Sequence, residues 1–282
     1  MVSTVFSPHI LKNWSVIPLP DFFLATFETW DRKQPVDSYQ KRELKMPILY
    51  GIDGTGPFFD TTYAQDFANS HVRRICASGD EYSRGPIGPG GGLPEAIEAG
   101  MSVVLQKRRA FESQNEQTCM LPHLGDILLT GYSRGGLGVL EMARRLKGQN
   151  IPVKAIMLFD AVDRHAAYDA ESVPNNVEHV LHVRRDPQAR SRMSFGNCGT
   201  KFSPPTKYSQ KFFWCTHGAM GGTPWTLPQG VSSNELIQEG TLEDAYLRDW
   251  NARTNVTYAV DAARSVEIWN YCQSFLSTHK FV

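Results

Sequence analysis

The chain has 282 residues, with 29 Lys and Arg balanced by 29 Asp and Glu, so its formal net charge is zero. This balance gives no electrostatic basis for binding nucleic acid, which requires clustered positive charge, and no nucleic-acid partner is expected. A hydrophobic content of 41% and a charged content of 21% exclude a disordered or fibrous chain. The length suits one large α/β domain covering residues 1–282.

The five cysteines are widely spaced and form no Cys-x-x-Cys pair, which indicates neither a zinc site nor a disulfide framework. We therefore expect no metal and no cofactor. The first 19 residues lack the basic segment followed by an apolar one that marks a cleaved signal peptide. No run approaches the about 18 apolar residues that cross a bilayer. We expect a cytoplasmic protein as made, with any export proceeding without a cleaved signal peptide.

Residues 1–45 are predicted to be an irregular extension, and they are rich in aromatic side chains. An apolar run at 46–52 ends in Asp53-Gly54-Thr55-Gly56, which predicts a strand entering a glycine loop. Residues 79–94 contain too much glycine and proline for regular structure. A helix is predicted at 94–109, where apolar residues recur on one face.

The most informative segment is Gly131-Tyr132-Ser133-Arg134-Gly135, which matches the Gly-x-Ser-x-Gly pattern. An apolar run at 127–129 precedes it and a helical stretch at 140–147 follows it. Strand, tight turn and helix together predict a nucleophile elbow, in which the serine lies at the tip of a strained turn. Glycine two residues to either side removes the Cβ atoms that would clash with the neighbouring strand and helix.

Three more strands are predicted after the elbow, at 155–159, 179–183 and 211–215, and each ends beside a polar residue. Residues 218–254 are interpreted as an insertion or lid, and 259–278 as a closing amphipathic helix. Strands that alternate with helices predict a mostly parallel sheet with helices on both faces.

A serine hydroxyl needs an adjacent base, and α/β-hydrolases place their residues in the chain order Ser, Asp or Glu, then His. His217 fits this order, because it directly follows the last predicted strand and precedes a glycine-rich loop. The other histidines precede the serine, follow it too closely, lie within a strand or lie in the C-terminal tail.

Position alone leaves the acid open. Asp160 ends the strand at 155–159, Asp163 follows three residues later, and Asp186 ends the next strand. Each of these carboxylates also suits a helix cap or a turn. From the residues alone, Asp160 and Asp186 are almost equally favoured.

Four blocks resemble, in order, the α/β-hydrolase family that includes the type VI secretion phospholipase effectors. They span residues 46–222. The blocks are Ile52-Asp53-Gly54-Thr55-Gly56, the glycine-rich loop at 88–92 with its following helix, Gly131-Tyr132-Ser133-Arg134-Gly135 with Phe159-Asp160-Ala161-Val162, and His217 to Gly222 with the pattern His-x-x-x-Gly-Gly.

The resemblance implies the α/β-hydrolase fold, Ser133 as nucleophile, His217 as base and Asp160 as acid. The chain departs from the family pattern at Ala219, where an aspartate is usual, and at Ala161, where a threonine is usual.

In an elbow of this kind, one oxyanion donor is the N–H of the residue after the nucleophile, here Arg134. The second donor is expected in the loop after the first strand, at Gly54 or Thr55. Asp53 is expected to brace that loop by accepting backbone N–H groups.

These observations predict a serine hydrolase of carboxylic esters, most simply a lipase or phospholipase and, by the resemblance, a secreted antibacterial effector. Its expected partners are a lipid or small ester substrate, the membrane surface as a peripheral contact and an immunity protein. The alternatives are a small-ester, thioester or amide hydrolase with the same triad, and a catalytically inactive fold that serves as a binding module. Exposed apolar side chains within 218–254 favour lipids, and a narrow polar pocket favours small esters.

Overall fold

The computed structural model of the chain describes residues 47–77, 81–87, 91–115, 125–163, 168–169, 171–239 and 253–282. The predicted extension at 1–45 lies outside the described residues. Residues 240–252 of the predicted lid segment, and part of the glycine loop at 88–92, also lie outside them.

Within the described ranges, a six-stranded sheet in which all neighbours are parallel forms the centre of the fold, in the order β2-β1-β3-β4-β6-β8. Two short antiparallel pairs, β5 with β7 and β9 with β10, lie outside this sheet. In chain order the strands are β1 (Ile48–Ile52), β2 (Tyr82–Ser83), β3 (Ile127–Tyr132), β4 (Val153–Phe159), β5 (Val162–Asp163), β6 (Val177–Arg185), β7 (Gly196–Asn197), β8 (Lys207–Phe213), β9 (Leu236–Gln238) and β10 (Arg253–Thr257).

Helices cover both faces of the sheet. They are α1 (Asp60–Asp66), α2 (His71–Ile75), α3 (Leu93–Asn115), α4 (Arg134–Gly148), α5 (His217–Met220) and α6 (Tyr258–Thr278), with a 3-10 turn at Pro187–Ala189. None of the helices in the described ranges is long and apolar enough to cross a membrane.

Alternate residues of the central strands point into two separate cores, as the two-residue period of a strand requires. On one face, Tyr50 and Leu129 pack against α3 and α4. On the other face, Leu128 and Met157 pack with side chains of α1, α2 and α6. The parallel sheet, its helical layers and the turn between β3 and α4 confirm the predicted α/β-hydrolase fold.

Several predictions differ from the structure. Strand β2 lies within residues 79–94, where no regular structure was predicted, because its two residues pair with the end of β1. Strands β4 and β6 each begin two residues before their predicted starts. Helix α4 begins at Arg134 rather than near residue 140, because Gly135, Gly136 and Gly138 let its first turns pack closely on neighbouring backbone and side chains. Helix α3 continues to Asn115 instead of ending near residue 109. Strand β8 is Lys207–Phe213, not 211–215, since its pairing with β6 ends at Phe213 and the chain then bends towards α5.

The close approach at Gly135 yields a test of this packing. A Cβ atom there would overlap the carbonyl oxygens of Ile52 and Asp53, which are backbone atoms and cannot rotate away. Gly135→Ala is therefore expected to lower the free energy of unfolding by about 3 kcal/mol. Urea denaturation followed by circular dichroism measures the change.

Gly148→Ala is the matched control, because the same helix ends there and a Cβ would meet nothing within 4 Å. It is expected to leave stability unchanged or raise it by up to about 1 kcal/mol. Equal effects of the two substitutions would contradict the packing described for Gly135.

Candidate active site

Ser133 lies between β3 and α4 at the carboxyl edge of the sheet, with φ 56° and ψ −129°. A serine rarely adopts a positive φ, so its neighbours must hold the turn. Its N–H donates to the Phe159 carbonyl at 3.1 Å, and its own carbonyl accepts from Gly136 at 3.0 Å and from Val162 at 3.1 Å. A Cβ at Gly131 would overlap the backbone of Gly135. The predicted elbow therefore joins β3 to the end of β4.

His217 is the first residue of α5 and is buried beside Ser133. Its Nε2 lies 2.9 Å from Ser133 Oγ, which is hydrogen-bonding distance. Thr216 caps the short helix by accepting the N–H of Ala219. The Tyr132 hydroxyl donates to the His217 carbonyl at 2.9 Å. The residue before the nucleophile thus helps to fix the histidine, a contact that the sequence did not reveal.

Asp160 directly follows β4, is fully buried and has a positive φ of 44°. Its Oδ2 lies 2.6 Å from His217 Nδ1. The two other aspartates considered from the sequence are engaged elsewhere. Asp186 caps the 3-10 turn by accepting the N–H of Gln188 at 2.8 Å, and Asp163 pairs with Gly196 on an exposed edge. The structure therefore brings Asp160, and neither alternative, to His217.

Arg185, the last residue of β6, is buried against the same carboxylate, and sequence reasoning did not find it. Its Nη1 forms an ion pair with Asp160 Oδ2, and its backbone N–H donates to Asp160 Oδ1 at 3.3 Å. The rest of its guanidinium donates to the carbonyls of Ser191 at 2.9 Å, Arg192 at 3.1 Å and Phe195 at 3.0 Å. A single arginine thus joins the acid to the loop at 191–195.

Two opposing effects act on these ionisable groups. Burial by itself raises the pKa of Asp160, but the Arg185 charge and the hydrogen bonds from His217 and Arg185 outweigh it and hold that pKa below its usual value. For His217, burial lowers the pKa and the neighbouring Asp160 carboxylate only partly offsets this. At neutral pH the site consequently contains an ionised aspartate and a neutral imidazole.

The three residues predicted to donate to the oxyanion lie in different environments. Arg134 is buried at the start of α4, and its Nε donates to Thr55 Oγ1 at 2.6 Å. Gly54 uses its N–H to donate to the Asp53 carboxylate at 2.8 Å, so that group is not available to a substrate. Thr55 lines the cleft beside Ser133. Of the two predicted alternatives for the second donor, the structure therefore favours Thr55 over Gly54.

Asp53 braces the loop after β1, as expected. Its fully buried carboxylate accepts from the Gly54 N–H, from the Ser70 hydroxyl and from the Tyr82 hydroxyl at 3.0 Å. Burial raises its pKa to about 6, although these hydrogen bonds favour the ionised form. These three hydrogen bonds to the Asp53 carboxylate therefore fix the loop that carries Thr55.

A further buried carboxylate, Glu239, supports both the histidine and one wall of the cleft. The His217 N–H donates to Ser191 Oγ at 2.7 Å, and that hydroxyl donates to Glu239 at 2.9 Å. Glu239 also accepts the Arg192 N–H at 2.8 Å and the Trp225 indole N–H at 3.2 Å. No local sequence pattern pointed to Glu239, because its partners lie 14 to 48 positions away.

The triad side chains open into a cleft of about 1080 Å³. Its walls combine aromatic and charged side chains. The aromatic members include Phe67, Phe195, Trp225 and Tyr258, and the charged members include Asp66, Arg134, Arg192 and Glu239.

The described part of the predicted lid forms one wall of this cleft, from Gly222 to Pro228. Trp225 and Leu227 there are 36% and 43% exposed, whereas Met220 and Ile237 pack inward. Some of the apolar side chains whose exposure would favour a lipid substrate are therefore exposed, and others are buried.

Among the described residues, no three His, Cys, Asp or Glu side chains are grouped so that they could hold a metal ion. A hydroxyl, an imidazole and a carboxylate in series can activate the hydroxyl as a nucleophile.

No protein-family model matches the chain, and no curated protein matches it in sequence. Among solved structures, the Tle1 effector bound to the VgrG spike from the Type 6 secretion system is 14% identical, covering 70% of this chain and 57% of that chain, with a TM-score of 0.36. An uncharacterized protein from Pseudomonas aeruginosa is 12% identical, covering 85% and 52%, with a TM-score of 0.40. Aspergillus fumigatus lipase B is 11% identical, covering 67% and 52%, with a TM-score of 0.34. The chain spans about half the length of these proteins, and the likeness concerns their fold.

Proposed function

We propose that the protein is a serine hydrolase of carboxylic esters whose nucleophile, base and acid are Ser133, His217 and Asp160. One observation carries this proposal. The 2.9 Å contact from Ser133 Oγ to His217 Nε2 continues into the 2.6 Å contact from His217 Nδ1 to Asp160, at the floor of a cleft. The same three groups supply nucleophilic and general acid–base catalysis without a Lewis acid, so the proposed reaction needs no metal.

In the proposed reaction, Ser133 Oγ attacks the ester carbonyl carbon while His217 Nε2 takes the hydroxyl proton. The negative charge then develops on the carbonyl oxygen, and we assign its stabilisation to the backbone N–H groups of Arg134 and Thr55. The proton on His217 passes to the leaving alcohol, which leaves an acyl group on Ser133. Water, deprotonated by the same imidazole, hydrolyses that acyl-enzyme, and Asp160 stabilises the imidazolium in both steps.

For the substrate, we propose lipid esters. Trp225 on the cleft wall supports this choice, and so does the exposed Leu227 two residues later. Phe58 and Phe59, on the segment that follows Thr55, are 70% and 68% exposed. Apolar side chains exposed around a cleft suit an acyl chain or the peripheral contact with a membrane that the sequence led us to expect.

A second candidate is a hydrolase of small esters, thioesters or amides with the same triad. The charged members of the cleft wall favour it, since Asp66, Arg192 and Glu239 suit a polar substrate better than an acyl chain. A third candidate is not an enzyme: it is the catalytically inactive fold that serves as a binding module. Export and an immunity protein stay predictions from the sequence.

The first test concerns the nucleophile. Ser133→Ala is expected to lower kcat by about 10⁴-fold, because the reaction loses its nucleophile. A p-nitrophenyl ester assay measures this, and a fluorophosphonate probe should attach to Ser133 of the wild type in the presence of a chelator. Ser209→Ala, on the exposed side of β8, is the control and should retain full activity. Failure of the probe to label Ser133 would support the inactive binding module.

The second test concerns the acid. Asp160→Asn is expected to lower kcat by about 10³–10⁴-fold, because the neutral amide does not stabilise the imidazolium and its NH2 group, by donating to Nδ1, holds His217 in the wrong tautomer. Asp186→Asn is the matched control at the end of the neighbouring strand. It should change kcat by less than about threefold, since Asp186 only caps a turn. The reverse ranking would transfer the acid to Asp186.

The third test concerns the substrate. Each methylene buried in the cleft contributes about 0.8 kcal/mol, so kcat/KM should rise with acyl-chain length and exceed that for acetate by more than about tenfold at medium chain length. Trp225→Ala should flatten this rise, whereas Trp225→Phe should retain most of it because the ring remains. A preference for acetate that Trp225→Ala does not alter would contradict lipid esters and favour the small-ester candidate.

A further inference from the structure

Arg185 occupies an unusual place for a charged side chain, because it is buried at the end of β6 and faces both the acid and the base of the triad. Its Nη1 pairs with Asp160 Oδ2 and lies 3.4 Å from His217 Nδ1. A carboxylate that accepts only one imidazole N–H in a fully buried position would be poorly solvated. Arg185 supplies the missing hydrogen bonds and the compensating charge.

We propose that Arg185 is a positioning residue that keeps Asp160 ionised and directed at His217, and that its charge keeps the imidazole neutral in acid so that Ser133 stays reactive there. This inference rests on the proposed serine-hydrolase function. It assigns to the chain a fourth residue that acts through the triad without touching the substrate.

The geometry explains why an arginine is needed. One guanidinium has five N–H donors in a fixed fork, and here it reaches the Asp160 carboxylate together with three carbonyls of the loop at 191–195. That loop also carries Ser191, which accepts the His217 N–H. The acid and the backbone of the base are therefore held by the same cation.

The charged groups around His217 predict whether removal of Arg185 raises or lowers the pH at which activity is lost. Seven ionisable groups of the described residues lie around this histidine, each on a different part of the chain. They are Asp160 after β4, Arg185 of β6, Glu239 after β9, Tyr132 of β3, Arg192 in the cleft wall, Asp261 of α6 behind Thr216, and His71 of α2 behind Gly221. Burial lowers the pKa of His71 to about 3, so it carries no charge near neutral pH.

Removal of Arg185 would take away the positive charge that lies between the triad and the loop at 191–195. The carboxylates of Asp160 and Glu239 would remain near the imidazole. Negative surroundings favour protonation of the His217–Asp160 pair, whichever atom receives the proton. Since the protonated pair cannot accept the Ser133 proton, activity would be lost at a higher pH than in the wild type.

The experiment measures the rate at which Ser133 reacts with a fluorophosphonate between pH 4 and pH 9, which requires no knowledge of the natural substrate. In Arg185→Gln, the acid limb is expected to move up by about one pH unit, and the rate on the plateau to fall about 10²-fold. Arg185→Lys keeps the charge, so its acid limb should stay near that of the wild type while the plateau falls.

Arg184→Gln is the matched control, because it removes the same charge from the adjacent residue, whose guanidinium contacts Gln210 and Phe212 instead of the triad. Its profile should superimpose on that of the wild type. An acid limb in Arg185→Gln that does not move, with a lower melting temperature as the only effect, would reduce Arg185 to a structural role and overturn the inference.

A wild-type measurement covers the case in which Arg185→Gln does not fold. The wild-type acid limb is expected below pH 6.5, the ordinary pKa of a histidine, and an acid limb at or above that value would overturn the inference. Failure of the wild type to react at Ser133 at any pH would instead refute the proposed function, so the two failures are distinguishable.

Discussion

Strands β4 and β6 end side by side, and the Asp160 carboxylate that follows β4 is fully buried. In the proposed mechanism it has to be ionised to orient His217. Burial opposes ionisation, because a charge loses its hydration in the interior. The ion pair with Arg185 reverses this balance, and the pKa of Asp160 falls below its usual value. The same guanidinium holds three carbonyls of the loop at 191–195. A single buried ion pair thus connects the acid to the loop that supports the histidine and contributes to one cleft wall.

The position of the nucleophile depends on backbone contacts and not on charged side chains. Ser133 adopts a positive φ, and its carbonyl accepts N–H groups from both α4 and the chain after β4. Those hydrogen bonds form only because Gly131 and Gly135 allow α4 to approach the carboxyl ends of β1 and β3. The strain of the turn is offset by the packing of α4, which contributes a large part of one core. The serine is therefore held at the cleft floor by backbone contacts among β3, α4 and the end of β4.

One wall of the cleft is formed by residues of the loop at 191–195 together with Trp225. Glu239 joins them, because it accepts from Ser191, from Arg192 and from the Trp225 indole. A change in that wall therefore affects the His217 backbone through the Ser191 hydroxyl. This connection is a physical reason to compare Trp225→Phe with Trp225→Ala, since both lose the indole N–H and only one loses the ring.

The sequence by itself determined the elements whose signal is local. A strand, a glycine-flanked serine and a helix are adjacent in the chain, so their backbone rules identified the turn at Ser133, and the chain order pointed to His217. The acid stayed open from position alone, because Asp160 and Asp186 both end a strand, and only the resemblance favoured Asp160. Only the tertiary structure decided between them, since the 57 positions from Asp160 to His217 are bridged by the order of the strands in the sheet. Arg185 was not predicted for the same reason. It pairs with a carboxylate 25 positions away, and nothing in the local sequence distinguishes such an arginine from one that faces solvent.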